Sequence, residues 1–328
     1  MRLIKLVPDN TNIRFVAVRK IAFTVTLILS ILAVGLVFVR GLNFGVDFMG
    51  GVAIEEKFAT PPAIDKVRAS IERLGVGEPA IQQFGDPTIV SIRLPVPEGD
   101  SGATDRLVER VKATLAAEFP GATFSNYSTV SGKVSDELVT NGILAVVLAI
   151  VGIAIFSWFR YEWQFGVSTA VAIVHDVLMT LGFFALFREQ FAFDLTIVAA
   201  VLTIIGYSIN DKMVIDDRIR ENMRKYRKMD MKSLIDLSVN ETLPRTVMTS
   251  VTILLALGAL LLLGGHVLRG FTAAMMLGII VGTYSSVYVS SSLLITLGLS
   301  PQTSEKKAKK GGIAAQAERM GPRDGAQP

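Results

Sequence analysis

The sequence has 328 residues, of which 51% are hydrophobic and only 19% are charged, and its mean hydropathy is +0.49. This composition is typical of an integral membrane protein, and a formal net charge of +4 is too small to suggest a nucleic-acid partner. The absence of cysteine excludes disulfides, thiol catalysis and cysteine metal sites, and the two histidines, His175 and His266, form no zinc motif.

The chain begins with a basic segment, residues 1–20, and an apolar run follows at once. Residues 21–40 predict a first transmembrane helix, because about 19 apolar residues are enough to cross a hydrocarbon core of roughly 30 Å. No small-residue cleavage site follows this run, so we expect an uncleaved helix rather than a removed signal peptide. The basic flank predicts a cytoplasmic N-terminus.

Residues 41–134 predict a soluble domain, because the pattern of apolar residues there switches between a period of two and a period of 3.6. The predicted elements are a strand at 52–58, a helix at 61–74, strands at 80–85 and 88–94, a helix at 104–119 and a strand at 122–130. This βαββαβ order is the split βαβ, or ferredoxin-like, arrangement.

Five further apolar runs predict transmembrane helices at residues 138–159, 164–187, 195–215, 246–263 and 271–299. Six spans place the soluble domain outside and both termini in the cytoplasm. Residues 216–245 are predicted to form a basic cytoplasmic loop, and residues 300–328 a disordered cytoplasmic tail. Both segments are rich in lysine or arginine, in agreement with the positive-inside rule.

Asp211, near the inner end of the fourth predicted span, is the main chemical clue in the sequence. A carboxylate within a bilayer costs several kcal/mol unless it is paired, protonated or hydrated. Arg245 begins the fifth span and should lie at a similar depth, since consecutive spans run in opposite directions. We predict an ion pair that a proton on Asp211 would break. Alternatively, Asp211 only begins the headgroup region, and Arg245 reaches out to lipid phosphate.

His175 and Asp176 lie near the middle of the third predicted span, where ionisable groups must face protein or water. Thr169, Asp176 and Thr180 fall on one helical face, which would suit a polar path. The alternative is a structural hydrogen bond between helices.

The sixth predicted span carries small residues at every fourth position. Such a stripe allows close approach of helix backbones, and helix packing is the interpretation we prefer. Its members are Gly278, Gly282, Ser286 and Ser290. The adjacent Tyr284 and Ser285 are candidates for a proton path.

The segment 41–51 reads GLNFGVDFMGG and follows the first span. Its key residues are Gly45, Asp47, Gly50 and Gly51, and the glycines permit a tight exit from the membrane into the first strand. The segment lacks the lysine and hydroxyl residue of a phosphate-binding loop, and no Ser-His-Asp triad with a nucleophile elbow occurs in the chain.

Several long motifs occur together and in order. They are GVDFMGG after the first span, AIVHD in the third, IGYSINDKMVIDDRIREN from the fourth onward, TLPRTVMTS before the fifth and GIIVGTYSSVYVSS in the sixth. With these motifs, residues 16–299 resemble the SecF family, the smaller membrane subunits of the bacterial SecD–SecF protein-export complex.

This resemblance implies an α-helical membrane protein of the RND transporter class, in which a six-helix half pairs with a similar half of SecD. It implies that proton flow drives movement of the outer domains and so promotes polypeptide export across the bacterial inner membrane. The family motifs implicate Asp211 and Arg245 in proton movement, and they include His175 and Asp176. No cofactor is expected beyond protons, with sodium as a possible coupling ion. Expected partners are SecD, the SecYEG translocon, a YajC-type accessory subunit, the translocating polypeptide and membrane lipid.

The chain departs from the family pattern at three residues in two segments. Lys133 and Ser135, in TVSGKVSDELV, replace residues that relatives often have as proline and glycine before the second span. Lys212 follows Asp211, and we expect it either to favour the charged form of that acid or to reach the inner membrane surface. Two other functions remain open: half of an RND-type exporter of small molecules or lipids, and a scaffold subunit that transports nothing. A membrane hydrolase is disfavoured, because no nucleophile–base arrangement is present.

Overall fold

The structure is a computed structural model that describes residues 7–8, 11–76, 79–84, 86–95, 102–265 and 268–300. His266, part of the loop before the second domain helix and the predicted tail from residue 301 onward lie outside these residues. The first half comprises a 3₁₀ turn (Phe15–Val18), α1 (Arg19–Arg40), α2 (Val46–Met49), β1 (Gly51–Lys57), α3 (Ile64–Glu72), β2 (Ala80–Phe84), β3 (Asp86–Leu94), α4 (Ala103–Glu118) and β4 (Thr123–Val130). The second half comprises α5 (Gly132–Arg160), α6 (Trp163–Leu186), α7 (Leu195–Lys225), α8 (Met231–Leu263), α9 (Arg269–Tyr284), a π-helical turn (Ser285–Ser290) and α10 (Ser291–Thr296).

The four strands form one antiparallel sheet in the order β2-β3-β1-β4, so the predicted ferredoxin-like arrangement is confirmed. Alternate residues of β1, such as Val52 and Ile54, point into the core because successive strand residues face opposite sides. Helices α3 and α4 cover that face with Val67 and Val111. We refer to residues 51–130 as the sheet domain.

Six helical stretches within the described residues are long and apolar enough to cross a membrane, as predicted. Helix α7 packs against α5, α6, α8 and α9, whereas α1 packs mainly on α6. Most of the large apolar side chains of α1 and α5 are exposed, as expected for helices that face lipid. We refer to these spans as the bundle. The sixth span differs from the prediction, because a π-helical turn interrupts it after Tyr284.

The prediction of a basic loop at residues 216–245 was wrong for the backbone. Helix α7 continues to Lys225 and α8 begins at Met231, so a short turn joins two long helices. The extensions are held by apolar contacts and by polar ones, such as the bond from Asn222 to the Ser238 hydroxyl at 3.0 Å. Asp230 accepts a bond from the Lys232 N–H and caps α8. A charged amphipathic helix and a polar loop have similar compositions, so composition alone does not distinguish them.

Candidate functional site

The inner face of α7 carries polar side chains at every fourth position. Ser208, Lys212 and Asp216 are each at most 2% exposed, and positions four apart lie on one side of a helix about 6 Å apart along its axis. Asp211 is 6% exposed and lies beside this row, toward α8. Within the bundle, α7 therefore presents a polar row to α6 and α9 and an acid to α8.

Asp176 of α6 faces the Ser208 end of this row and is fully buried. Its Oδ2 accepts a hydrogen bond from the Ser208 hydroxyl at 2.6 Å, whereas its Oδ1 has no hydrogen-bond partner among the described residues. Gly282 of α9 lies opposite: a Cβ at this glycine would be 3.2 Å from the Ser208 Cβ and 3.7 Å from Oδ2 of Asp176. A small residue is thus what lets α9 approach the carboxyl group.

His175 joins α6 to the first span. Its Nδ1 is 3.0 Å from the Ser30 hydroxyl of α1, and its ring centre is 6.5 Å from that of Tyr284. The Tyr284 hydroxyl in turn is 3.1 Å from the Thr26 hydroxyl and donates to the Ala22 carbonyl at 3.2 Å. The predicted pair therefore divides its contacts: Asp176 binds α7, and His175 binds α1.

The expected polar face of α6 is not continuous. The Thr169 hydroxyl donates to the Phe165 carbonyl at 2.7 Å, and the Thr180 hydroxyl donates to the Asp176 carbonyl at 2.9 Å. Both threonines donate to their own helix, and the Thr169 hydroxyl also lies 3.3 Å from that of Ser157 in α5. Neither threonine contacts the Asp176 carboxyl group, whose partner comes from a neighbouring helix.

Lys212 forms a buried ion pair that the sequence analysis did not foresee. Its Nζ donates to Oδ2 of Asp216 at 2.9 Å and to the Ser168 hydroxyl at 3.1 Å. The Ser290 hydroxyl donates to the same Ser168 oxygen at 3.4 Å. Lys212 points into the bundle, so the expectation that it reaches the inner membrane surface was wrong. The i,i+4 spacing of Lys212 and Asp216 within one helix was the sequence signal that could have revealed the pair.

Asp211 does not form the predicted ion pair with Arg245. Its Oδ1 accepts a bond from the Thr246 hydroxyl at 2.7 Å, and its Oδ2 has no partner among the described residues. Arg245 is exposed on the outer face of α8, and its charge acts on Asp211 only from a distance. Adjacent helical residues point about 100° apart, so α8 can direct only one of Arg245 and Thr246 at the acid.

One turn away from Asp211, hydroxyl groups connect α7, α8 and α9. The Tyr207 hydroxyl is 3.0 Å from that of Ser250, which is 2.9 Å from that of Thr283. These three groups continue the polar interior along the α7–α8 contact. Each hydroxyl can donate and accept a hydrogen bond. This row of hydroxyl groups can therefore pass a proton along as well as hold the three helices together.

The stripe of small residues lies where the sixth span packs against α7 and α6. A Cβ at Gly278 would lie 2.4 Å from the Ile204 side chain, so any larger residue forces a rearrangement. Ser290 joins the Lys212 cluster, as described above, and the buried Ser286 hydroxyl has no partner among the described residues. The stripe therefore provides both close packing and hydroxyl groups for the polar interior.

The motif after the first span attaches that span to the start of α7. Asp47 accepts a bond from the Leu195 N–H at 2.9 Å, and the Gly45 N–H donates to the Phe193 carbonyl at 2.8 Å. Gly50 and Gly51 both have positive φ, and a Cβ at Gly51 would lie 2.5 Å from the Leu94 carbonyl oxygen. The motif is thus a structural joint between α1, α7 and the sheet domain, and it contains the short helix α2 in addition to the predicted tight exit.

The ionisable groups inside α6 and α7 do not balance. Among the described residues of these two helices, the buried ionisable groups are three carboxyl groups (Asp176, Asp211 and Asp216), the Lys212 ammonium group and the His175 imidazole. The Asp216 charge is compensated by Lys212, whereas Asp176 and Asp211 contact only hydroxyl groups. The part of the chain that the structure describes contains no group of three histidine or acidic side chains suited to a metal ion.

The chain is similar to known subunits of the protein-export machinery. The sequence profile described as "Protein export membrane protein SecD/SecF, C-terminal" matches residues 110–300. A protein translocase subunit SecF of Cereibacter sphaeroides is 40% identical over 94% of this chain and 96% of its own length. SecF of Rhodobacter capsulatus is 43% identical, over 93% of this chain and 94% of its own length.

Two solved structures share the fold. The crystal structure of SecDF from Thermus thermophilus, described as a translocon-associated membrane protein, has a TM-score of 0.80 and 37% sequence identity. It matches 89% of this chain, which spans 39% of that chain's length. SecDF in a super-membrane-facing form has a TM-score of 0.64 and 36% identity, and the match covers 93% of this chain and 40% of that one.

Proposed function

The chain belongs to the SecF family of protein translocase subunits, and on that premise we propose that it works with SecD to couple polypeptide export to proton movement. The family makes it a multi-pass membrane subunit that assists the Sec translocase. The proposal adds the use of the proton motive force, the location in a bacterial inner membrane with both termini in the cytoplasm, and cooperation with SecYEG and a YajC-type subunit.

The observation that carries the proposal is the excess of buried carboxyl groups in the bundle. Asp176 and Asp211 each have one oxygen bonded to a hydroxyl and one oxygen without a hydrogen-bond partner among the described residues. An uncompensated carboxylate in a bilayer costs several kcal/mol, and a bound proton removes that cost. Two such sites give the bundle places where protons can bind and leave.

Of the two acids, Asp211 is better placed than Asp176 to couple proton binding to a helix movement. It lies between α7 and α8, and α8 contains Pro244 two residues before the bonded Thr246. Proline removes a helical hydrogen bond, so α8 can bend at this point. When Asp211 loses its proton, attraction to the neighbouring Arg245 favours a rotation of α8 that brings the cation toward the acid. Rebinding of a proton neutralises the acid and removes that attraction.

The contacts of α7 provide a route from this site to the sheet domain. Asp47 and Gly45 hold the start of α7 to the segment that follows α1. The same segment is bonded to the sheet domain, where Arg93 donates to the Asn43 side chain at 3.0 Å and to the Phe44 carbonyl. Hydrogen bonds, rather than a flexible linker, therefore transmit a movement of α7 along or about its axis to the sheet domain.

The outer face of α7 and α8 supports SecD as the neighbour. Thr203, Gly206 and Asn210 are exposed along α7, and Arg245 and Thr249 are exposed on α8. Asn210 and Arg245 flank the Asp211–Thr246 bond, and their side chains form no hydrogen bond or ion pair with other described residues. Polar side chains and small residues on a membrane face favour contact with another helix over contact with lipid. A SecD half on this face would lie beside the proton site.

The test is a translocation assay in vesicles that contain SecYEG, SecD and this subunit. We expect Asp211→Asn to reduce the proton-dependent stimulation of export to the level of vesicles without the SecD–SecF pair, because the amide cannot exchange a proton. The matched control is Asp217→Asn, which removes an exposed carboxyl group of α7 that pairs with Arg160 at 3.6 Å. This control should retain the stimulation within about twofold.

Normal proton-dependent stimulation by Asp211→Asn, in a complex that assembles with SecD, would refute the proposal. Stimulation by a sodium gradient in the absence of a proton gradient, abolished by the same substitution, would retain Asp211 as the ion site and replace the proton by sodium. The SecF relatives favour export of polypeptides over the export of small molecules.

A further inference from the structure

A cavity of about 740 Å³ lies between the start of the first span and the first turns of α8. One wall is the 3₁₀ turn at Phe15–Val18 with the first residues of α1, and the other wall is formed by residues 230–240. Its charged lining consists of Arg14, Arg19, Lys20, Lys232, Asp230 and Asp236.

Two side chains of α8 hold the N-terminal wall in place. Oδ1 of Asp236 accepts a bond from the Val16 N–H at 2.9 Å. The Asn240 side chain accepts from the Ile13 N–H at 2.9 Å and donates to the Ile13 carbonyl at 2.8 Å. The backbone before α1 is thus bound to two consecutive turns of α8. These bonds fix the two walls of the cavity relative to each other.

The two carboxyl groups of the cavity are already engaged by backbone N–H groups. Asp236 binds the backbone of the 3₁₀ turn, and Asp230 accepts from the Lys232 N–H at 3.2 Å and caps α8. The four cations, by contrast, form no ion pair with any other residue that the structure describes. One guanidinium nitrogen of Arg19, Nη1, is buried without a hydrogen-bond partner among those residues. Arg19 is half-buried, and an anion with several acceptor oxygens can satisfy this unpaired N–H donor.

The cavity also lies at the level where the membrane surface meets the first span. Arg19 and Lys20 immediately precede the apolar run that begins at Ile21, and Val18, Ile21 and Val25 are exposed on the outside of the bundle. Acyl chains can lie against these apolar side chains while a headgroup occupies the cavity. Basic residues at the end of a transmembrane helix attract anionic lipid headgroups.

We propose that this cavity binds the phosphate group of an anionic phospholipid whose acyl chains lie along α1. Arg14, Arg19, Lys20 and Lys232 supply the positive charge, and Arg19 supplies a donor that no group among the described residues satisfies. The bound lipid joins the N-terminal segment to α8, the helix that carries Thr246. This inference does not depend on proton coupling.

The experiment measures binding of short-chain phosphatidylglycerol to the purified full chain in a neutral detergent by isothermal titration calorimetry. Short-chain phosphatidylcholine and inorganic phosphate are the comparison ligands. The double variant Arg19→Gln with Lys232→Gln removes two cavity cations. Its matched control, Arg224→Gln with Lys228→Gln, removes one arginine and one lysine charge outside the cavity, from exposed positions in the last turn of α7 and in the loop that follows it.

We expect the cavity variant to weaken binding of phosphatidylglycerol by about tenfold or more, and the control by less than about twofold. Phosphatidylcholine should bind more weakly than phosphatidylglycerol to the unmodified chain, since it carries no net negative charge. Equal losses in the two variants would show that surface charge alone attracts the lipid and would overturn the proposal. Displacement of phosphatidylglycerol by an equal concentration of inorganic phosphate would assign the cavity to a soluble anion and overturn the lipid part of the proposal.

If the double variant does not fold, the single variant Lys20→Gln is used in the same binding experiment. Lys20 is exposed and its side chain makes no hydrogen bond among the described residues, so its replacement leaves the packing intact. We expect binding of phosphatidylglycerol to weaken by about threefold. An unchanged affinity in this variant would contradict the proposal.

Discussion

The sheet domain places apolar side chains such as Val52, Ile54 and Val67 inside and leaves most of its charged groups in water, whereas the bundle buries polar and charged side chains together with apolar ones around α7. Large apolar side chains of α1 and α5 face outward, and the contacts among α6, α7 and α9 bury serines, threonines and acids beside apolar side chains. The solvent explains the difference: water rewards apolar burial, while lipid is as apolar as leucine and gives no such reward. A buried polar group must therefore be interpreted differently in the sheet domain and in the bundle.

The largest difference between the regions should appear in their ion pairs. Lys212→Met leaves the Asp216 carboxylate buried without its cation and should destabilise the bundle by about 3–5 kcal/mol. The double variant Lys212→Met with Asp216→Leu should recover most of that loss, because neither charge remains. In the sheet domain, Glu109→Gln removes the exposed pair with Lys112 at 3.5 Å and should cost less than about 0.5 kcal/mol.

Unfolding in mixed detergent micelles, followed by the fluorescence of the two tryptophans, measures the bundle variants. Hydrogen exchange of the α4 amides measures the sheet-domain variant. A single Lys212→Met substitution with no loss of stability would mean that Asp216 takes up a proton or finds water at little cost, and the contrast between the two pairs would disappear.

Glycine packing should give the next largest effect. Gly278→Ala places a methyl group 2.4 Å from the Ile204 side chain and should destabilise the bundle by about 2–3 kcal/mol, since overpacking forces α9 away from α7. Gly152→Ala, on the outer face of α5, has nothing within 4 Å of the added Cβ and should be neutral or slightly stabilising. The same unfolding assay compares the two. Equal effects would indicate that the α9–α7 contact tolerates a larger spacing.

Glu56 should give the smallest effect and one that depends on pH. Burial raises the pKa of this sheet-domain carboxyl group from 4.5 to about 7, and the charge of Lys112 offsets part of that rise. The folded domain therefore holds the proton more tightly than the unfolded chain does. The contribution of Glu56 to stability should be greatest below about pH 4.5, decrease as the pH rises toward 7 and remain level above it.

Hydrogen exchange of the β1 amides in the full chain, corrected for the intrinsic effect of pH, measures this decrease. Glu56→Gln should abolish the dependence, whereas Glu55→Gln, on the opposite face of the strand, should preserve it. A flat profile for the unmodified chain would show that Glu56 reaches water, and the sheet domain would then contain no costly buried acid.

The sequence by itself determined the number of spans, the order of the sheet-domain elements and the family, because these depend on local periodicity and on motifs that are continuous in the chain. It also identified Asp176 and Asp211, since an acid within an apolar run is visible without a structure. The length of α7 and α8 beyond the membrane was not visible, because charged amphipathic helices and polar loops have the same composition.

Only the tertiary structure decided which side chains meet. Thr246, rather than its neighbour Arg245, binds Asp211, because the rotation of α8 about its axis places one of these two residues inward. Lys212 enters the bundle because Asp216 and Ser168 surround its ammonium group there, although an apolar span predicts that lysine reaches outward. Helix rotation and partner choice depend on contacts between distant parts of the chain, so a sequence pattern within one helix can suggest the reactive groups but cannot pair them.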